Sequence, residues 1–309
     1  MIIINSLEEI KSFDKSVVTI GKFDGIHNGH KVLIEKTVSI AKEQDFKSVV
    51  ITFKNSPLSY FFNRETKEII TEEDKMNLFK SLGVDIVIDI PFDKSMAEIS
   101  AEDFVKNILI EGLHAKKVIV GHDFAFARNR EGNAQTLKQL GSKYSFDVDV
   151  IGPVRIKGKR VSSTFIKELV QTGEIDEIQE YLGRDYTIEG EVIKAKQVGR
   201  TIGFPTANLK LKESLVIPKR GIYATKVYID NEVYIGATNV GYNPTVNGNK
   251  MSIETNILEF DKDIYGKTIK LEFLERIRDE KKFKDLNELK VQLKKDINYI
   301  YKKYICKSN

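Results

Sequence analysis

The chain is 309 residues long, 41% hydrophobic and 30% charged, with a net charge of +4 and a single cysteine. That length sets two domains as the expectation, and the composition suits ordinary hydrophobic cores beneath a soluble surface. The slight charge argues against a general nucleic-acid binder, one cysteine excludes an intrachain disulfide and fits a reducing cytoplasm, and no apolar run approaches membrane-spanning length.

The opening Met1-Ile2-Ile3-Ile4-Asn5-Ser6 is too short, and too soon acidic, to read as a signal peptide. In chain order, strand-like apolar runs follow at Val17–Ile20, Ser48–Phe53, Val84–Ile90, Lys117–Val120 and Asp147–Ile151. Helical periodicity lies between them, near 31–44, 72–82, 101–112 and 133–141. Strands alternating with helices predict a parallel sheet covered by helices, with ligands bound beyond the carboxyl ends of the strands. Ser162–Leu182 reads as a helical bridge. Around Gly183-Arg184-Asp185 the texture changes, which divides the chain into domains 1–183 and 184–309. Ile222–Ile229 and Val233–Val240 flank Asp230-Asn231-Glu232 as a hairpin, and Ile253–Phe260 and Thr268–Leu274 are further strands. Turn signals stand at Ile217–Gly221 and Tyr242–Pro244. This half predicts a small antiparallel barrel closed by a C-terminal helix. That helix carries Leu286, Leu289, Leu293, Ile297, Ile300 and Tyr304 on an apolar face and a lysine-rich wet face between Lys281 and Lys303.

The most informative segment is Gly21-Lys22-Phe23-Asp24-Gly25-Ile26-His27-Asn28-Gly29-His30, on a strand–loop–helix corner. Its glycines keep side chains off the corner, so a phosphate can approach the backbone. His27 and His30 point the same way at i and i+3, and the helix N-terminus adds N–H groups and partial positive charge. The corner suits a polyphosphate and the charge that builds on a pyrophosphate leaving group, which is the chemistry of H-x-G-H nucleotidyl transfer. The other histidines are His114 and His122, and no third ligand lies near the pair, so zinc is not expected. Ser163 and Thr164 place hydroxyls just before a helix, an anion site or a plain cap. No Walker A motif occurs: Gly266-Lys267-Thr268 looks like its end, but position 261 is Asp where the first glycine belongs. No G-x-G occurs either, which excludes a dinucleotide fingerprint. Gly199–Gly203 supplies a basic loop with Arg200, and Thr206 and Asn208 face one way if extended.

With both halves in view, the sequence resembles the prokaryotic bifunctional riboflavin kinase/FAD synthetases nearly end to end. In the first module the matching segments are Gly21–His30, Thr52-Phe53, Ile70-Thr71 with Lys75, Ala101–Val105, Val120–Phe124, Arg130 with Gly132, and Ser162-Ser163-Thr164. In the second they are Gly190–Val192, Gly199-Arg200, Gly203–Leu209, Gly221–Ala224, Asn239–Gly241 with Pro244-Thr245, Glu254-Thr255 and Asp263–Lys267. The resemblance implies a nucleotidyltransferase-like α/β domain followed by a kinase barrel. The barrel would phosphorylate riboflavin to FMN; the first domain would adenylylate FMN to FAD and release pyrophosphate. Each step would use ATP and Mg²⁺, with neither nucleic acid nor membrane as a partner. By the same resemblance, Gly21, Phe23, Gly25, Gly29, Ser163, Thr164 and Lys167 receive ATP phosphates beside catalytic His27 and His30. Asp123, Phe124 and Phe126 hold the flavin, with the two rings able to sandwich its isoalloxazine, unless they are core residues. Gly199 and Arg200 take phosphates in the kinase, Thr206 and Asn208 contact Mg²⁺ and ATP phosphates, and Glu254 is the base for the ribityl hydroxyl.

Three positions depart from the family pattern. Asn55-Ser56-Pro57 stands where the family has Pro-His-Pro, Ala127 where D-F-x-F-G ends in glycine, and Lys167 where S-S-T-x-I-R ends in arginine. Lysine offers a point charge where arginine offers two parallel bonds. These changes predict that adenylylation is the slower step, and they leave open a riboflavin kinase with a weakened or repurposed first module. A class I aminoacyl-tRNA synthetase shares H-x-G-H, but Ile253-Glu254 breaks the K-M-S-K-S pattern begun at Lys250-Met251-Ser252. A non-catalytic flavin or nucleotide regulator would not need His27, His30, Thr206, Asn208 and Glu254.

Overall fold

A computed structural model describes residues 1–10, 14–62, 66–194, 199, 202–212, 214–245 and 248–306. They form two compact units, Met1–Ser163 and Thr164–Asn309.

In the first unit, strands β1 (Ile2–Ile4), β2 (Ser16–Ile20), β3 (Lys47–Phe53), β4 (Ile86–Ile90), β5 (Ala115–Gly121) and β6 (Asp147–Ile151) make one sheet. Every pairing is parallel, in the order β1-β4-β3-β2-β5-β6. β2 and β4 are buried along their whole length, which is why both read as continuous apolar runs rather than alternating ones. Thr19 tolerates this burial because its hydroxyl donates to the Ile119 carbonyl at 2.9 Å. The two neighbours of β2 lead away in opposite directions, β3 toward β4 and β1, and β5 toward β6. Such a reversal leaves a crevice at the carboxyl ends of β2 and β5.

Helices α1 (Asn28–Glu43), α2 (Pro57–Phe62), α3 (Glu72–Ser81), α4 (Lys94–Glu98) and α5 (Ala134–Tyr144) join these strands. The helix expected over 101–112 is α-helical only at Ala101–Asp103 and continues as a π-helix over Phe104–Gly112. The wider turn brings Phe104, Val105, Ile108 and Leu109 into the core together. β1 escaped the sequence reading because three isoleucines are too short a run to show a period; it exists only by pairing with β4.

In the second unit, β7 (Tyr186–Ile193), β8 (Ala207–Lys210), β9 (Gly221–Ile229), β10 (Glu232–Thr245), β11 (Gly248–Ile257) and β12 (Thr268–Arg278) close a barrel. The pairings are antiparallel, in the order β7-β8-β11-β10-β9-β12 and back to β7. Tyr223, Val227, Val240, Ile253 and Phe273 are among its buried residues. Buried Thr225, Thr238 and Thr255 satisfy one another through hydroxyl bonds of 2.8 and 2.9 Å. β7 and β8 were not expected: Glu189, Gly190 and Glu191 mask the first, and the second has four residues. The expected turn at Tyr242–Pro244 is instead the end of β10.

The bridge is two helices, α6 (Ser163–Thr172) and α7 (Ile175–Leu182), separated at Gly173, whose φ is +83°. α7 packs on β7 and β12 and buries Ile178, Tyr181 and Leu182. The C-terminal helix α8 (Leu286–Tyr304) is capped by Asp285, whose carboxylate accepts the Glu288 N–H at 2.8 Å. Ile297, Ile300, Tyr301 and Tyr304 pack on Ala224 and Leu258. Leu286, expected on that apolar face, is 56% exposed. Asp296 is buried within the face, because Arg278 forks onto it with bonds of 2.6 to 3.1 Å.

Candidate functional site

The loop from β2 to α1 turns through left-handed backbone at Phe23, Gly25 and Ile26, with φ of 50°, 84° and 40°. A side chain at Gly25 would place its Cβ 2.9 Å from Ile69 Cδ1, so both the turn and the contact require glycine. Three bonds fasten the loop. Thr52 Oγ1 donates to the Lys22 carbonyl (3.0 Å), the Ile69 N–H to Asp24 Oδ1 (2.8 Å), and Ser163 Oγ to the Asp24 carbonyl (2.9 Å). The Phe23 ring is buried edge-on to Phe79 and His30 and anchors the loop. Lys75 is buried against Asp89 at 3.4 Å and ties α3 to β4.

His27 is the N-cap of α1: its Nδ1 accepts the His30 backbone N–H at 3.2 Å. An accepting Nδ1 leaves the proton of the neutral ring on Nε2. The His27 and His30 rings stack, with centroids 3.6 Å apart and planes 16° apart. Burial lowers the His30 imidazole well below its ordinary 6.5, and neighbouring His27 pushes the same way. His30 is therefore held neutral, and His27, with Nδ1 occupied as an acceptor, presents an Nε2–H. The unfolded chain takes up a proton at His30 near 6.5 and the folded chain does not, so this site's share of stability is present above 6.5. It is lost as pH falls from there toward the folded value. Denaturant unfolding between about pH 8 and about pH 5 should show that loss, and His30→Gln should flatten the slope. An unchanged slope in His30→Gln would remove His30 as its source.

Two cavities open at this crevice. One, of about 220 Å³, is polar and is lined by His27, Gly29, His30, Gly121, Asp123, Arg160 and Ser163 among others. The other, of about 320 Å³, is aromatic, with Phe23, Phe53, Phe92, Phe104, Phe124 and Phe126 in its walls. His30, Leu33, Gly121 and Asp123 line both. At their junction Arg160 pairs with Asp123 at 2.5 Å. Burial alone would raise the Asp123 carboxyl, but the hydrogen bond and charge of Arg160 outweigh it and hold the group below its ordinary value. Sequence reasoning missed Arg160, although it lies two residues before the matched Ser162-Ser163-Thr164, and it missed Phe92, which follows the carboxyl end of β4.

The Phe124 and Phe126 rings stack on each other, with centroids 5.3 Å apart, and Phe126 also packs on Phe104 in the core. The expected sandwich is therefore absent: no slot for a third ring exists between them. Ala127 keeps the backbone of the glycine it replaces, with φ 66° and ψ 177°. Only glycine adopts that region without strain, which costs about 1–3 kcal/mol in other residues. Ala127→Gly should thus raise the thermal stability of the first unit, after subtracting about 0.4–1 kcal/mol for the freer unfolded chain. A lower melting temperature would mean that the methyl group packs usefully. Thr164 and Lys167 lie in the first two turns of α6, in the second unit.

In the barrel, Asn208 on β8 and Asn239 on β10 stand opposite Glu254 on β11 in register, one polar row across three strands. The Thr255 row lies on the other face. Thr206 lines a cavity of about 350 Å³ with Pro205, Asp261, Asp263, Ile264 and Tyr265. The Asn256 amide fixes its edge by donating to the Pro205 carbonyl at 2.7 Å. The Gly199 carbonyl accepts from Phe204 N at 2.8 Å, closing the loop back toward Thr206; Arg200 lies outside the described residues. Sequence reasoning passed over Glu280. Its Oε1 lies 2.2 Å from where a Gly241 Cβ would be, and Asn239 Nδ2 lies 3.2 Å from the same point, so a second carboxylate stands beside Asn239, which faces Glu254 in register. Among the described residues no group of three or more His, Cys, Asp or Glu could hold a metal. Thr206 and Asn208 offer neutral oxygens only, a donor set that fits Mg²⁺ shared with nucleotide phosphates.

A family model described as FAD synthetase matches residues 9–165, and one described as riboflavin kinase matches residues 182–304. The bifunctional riboflavin kinase/FMN adenylyltransferase of Buchnera aphidicola subsp. Schizaphis graminum is 36% identical over 306 residues, 97% of either chain. That of Bacillus subtilis is 36% identical over 91% of this chain and 90% of its own, and that of Escherichia coli K12 is 33% identical over the same shares. A crystal structure from Streptococcus pneumoniae, of a protein named macrolide-efflux protein, aligns with a TM-score of 0.88 at 31% identity, covering 97% of this chain and 98% of that one. No helix among the described residues is long and apolar enough to cross a membrane. With both modules matched in order over almost its full length, the chain belongs to the bifunctional riboflavin kinase/FMN adenylyltransferase family.

Proposed function

We propose that the first unit joins FMN to the adenylyl group of ATP where its two cavities meet, and that the barrel phosphorylates riboflavin beside Glu254. Riboflavin phosphorylation and FMN adenylylation are the activities of this family, and both modules are present, so the reading of a kinase with a repurposed first module gives way. One observation supports the placement above others: a polar cavity and an aromatic cavity share His30, Gly121 and Asp123. The polar cavity takes the triphosphate along Gly29, Arg160 and Ser163. The aromatic cavity takes the isoalloxazine ring. The flavin phosphate then reaches the α-phosphorus at the junction. One of its oxygens bonds to that phosphorus as the bond to the bridging pyrophosphate oxygen breaks. No covalent enzyme intermediate is needed, so position and charge carry the rate. His27 and His30 donate N–H to oxygens that gain charge, and the N-terminus of α1 adds its positive end. Thr164 and Lys167 are assigned to the phosphates by resemblance alone.

In the barrel, Glu254 accepts the proton of the terminal ribityl hydroxyl as that oxygen attacks the γ-phosphorus and ADP leaves. Mg²⁺ held by Thr206 and Asn208 would neutralise phosphate charge. Gly199 and Arg200 would close over the same phosphates. The activities divide at 1–183 and 184–309, the substrates are small molecules without a nucleic-acid or membrane partner, and the compartment is the cytoplasm. A time course with riboflavin, Mg²⁺ and excess ATP tests the scheme. FMN should appear first and then FAD. Absence of FMN would sink the kinase assignment, and FMN without FAD would sink the adenylyl-transfer assignment.

The buried face of α7 sets how the barrel can be isolated. A fragment beginning at Thr164 should fold and make FMN. One beginning at Arg184 loses Ile178, Tyr181 and Leu182, each contributing about 1.5–3 kcal/mol of burial, and should be less stable. Equal melting temperatures for the two fragments would show that α7 is dispensable.

A further inference from the structure

We propose that Asn55 is the positioning residue for the aromatic wall of the first unit's flavin cavity, because both atoms of its amide pair with the backbone of Phe92. The proposal rests on the reading of that cavity as the flavin site of adenylyl transfer.

The last sheet-like bond between β3 and β4 runs from Lys54 N–H to the Ile90 carbonyl at 3.0 Å. Beyond it the two chains diverge, one toward α2 and the other through Phe92 to α4, which Asp93 caps. The Asn55 side chain spans the gap. Its Nδ2 donates to the Phe92 carbonyl at 2.9 Å, and its Oδ1 accepts the Phe92 N–H at 2.7 Å. A carboxamide thereby stands in for one more peptide in the ladder. Among side chains of this length only asparagine offers a donor and an acceptor so spaced; aspartate accepts alone.

What hangs on Phe92 gives the clamp its consequence. Its ring meets Phe53, Tyr60 and Phe61 edge-on, with centroids 5.6, 5.7 and 5.8 Å away. Phe53, Phe92 and Met96 of α4 line the aromatic cavity. α2 has six residues, too few to hold itself as a helix, and Phe61 is 57% exposed. The amide fixes Phe92, and Phe92 in turn fixes the wall and the rings of α2. Proline, which the family pattern places at this point, has no side-chain donor or acceptor. This chain holds the loop by hydrogen bonding where a proline pair would hold it by ring rigidity. The departure at position 55 is thus a substitute support for the flavin wall. Its loss should weaken flavin binding and spare ATP binding.

The test uses the full chain and steady-state adenylylation, with riboflavin phosphorylation in the barrel as the internal control for folding. Asn55→Ala should raise KM for FMN about tenfold while kcat and KM for ATP stay within about twofold. Asn55→Asp keeps the acceptor but sets a carboxylate oxygen against the Phe92 carbonyl, and should be no better than the alanine variant. Phe92→Ala should match Asn55→Ala, and the double variant should lose little more, since both remove one wall. A KM for FMN within about twofold of wild type in both Asn55 variants overturns the proposal. So does a loss spread evenly over kcat, both KM values and the kinase, which would mark a general structural defect. Failure of the wild-type chain to convert FMN to FAD would overturn the underlying site reading, and it is seen before any variant is made.

Discussion

Replacing His27 or His30 by alanine should cut FAD formation from supplied FMN by about 10²–10³-fold, the usual loss when one preorganised donor to a developing negative charge is removed. Riboflavin phosphorylation should continue, so FMN accumulates. The two substitutions differ in their side effects. His27 caps α1 through Nδ1, so His27→Ala also strips a helix cap worth about 1 kcal/mol. His27→Asn restores a capping oxygen without an imidazole Nε2–H. If catalysis needs the donor, His27→Asn regains stability and not rate. If it regains both, the role of His27 is to hold α1 in place. His30→Ala leaves the cap bond intact, because that bond uses the His30 backbone N–H. Survival of FAD synthesis in both alanine variants would refute the charge-stabilising role.

Glu254→Gln should lower FMN formation by about 10²–10⁴-fold and leave FMN-to-FAD conversion unchanged. The change keeps size and shape and removes the negative charge and the basicity. Asn208 and Asn239 on either side cannot take over, since a carboxamide is not a base at neutral pH. Glu280 is the nearby group that could, and its variant Glu280→Gln separates the cases. A kinase that tolerates Glu254→Gln and fails in Glu280→Gln has its base at position 280. One that tolerates both does not use general-base catalysis from these carboxylates.

Sequence alone determined the parts of this protein that depend on local order. The β2–loop–α1 corner was legible because glycines and paired histidines lie within ten consecutive residues, flanked by a strand-like run on one side and a helical period on the other. The central strands β2 to β4 were legible because burial on both faces gives mostly apolar runs, whereas β6, half-exposed, was legible from its alternating valines and aspartates. Other features needed tertiary structure, because their cause lies far away in the chain. Asp123 meets Arg160, Asp24 meets Ser163, and Asn55 meets Phe92 across 37 to 139 positions, and no periodicity records such pairs. β8 is a strand only because β7 and β11 flank it. Ala127 keeps a glycine backbone because the fold around it imposes that turn against the residue's own preference. Phe124 and Phe126 were two aromatics open to either use, and only the folded chain shows them stacked on each other, with Phe126 in the core. Local preference is worth tenths of a kcal/mol per residue, whereas packing and buried hydrogen bonds are worth about one to several. Where the two conflict or fall silent, the tertiary contacts decide.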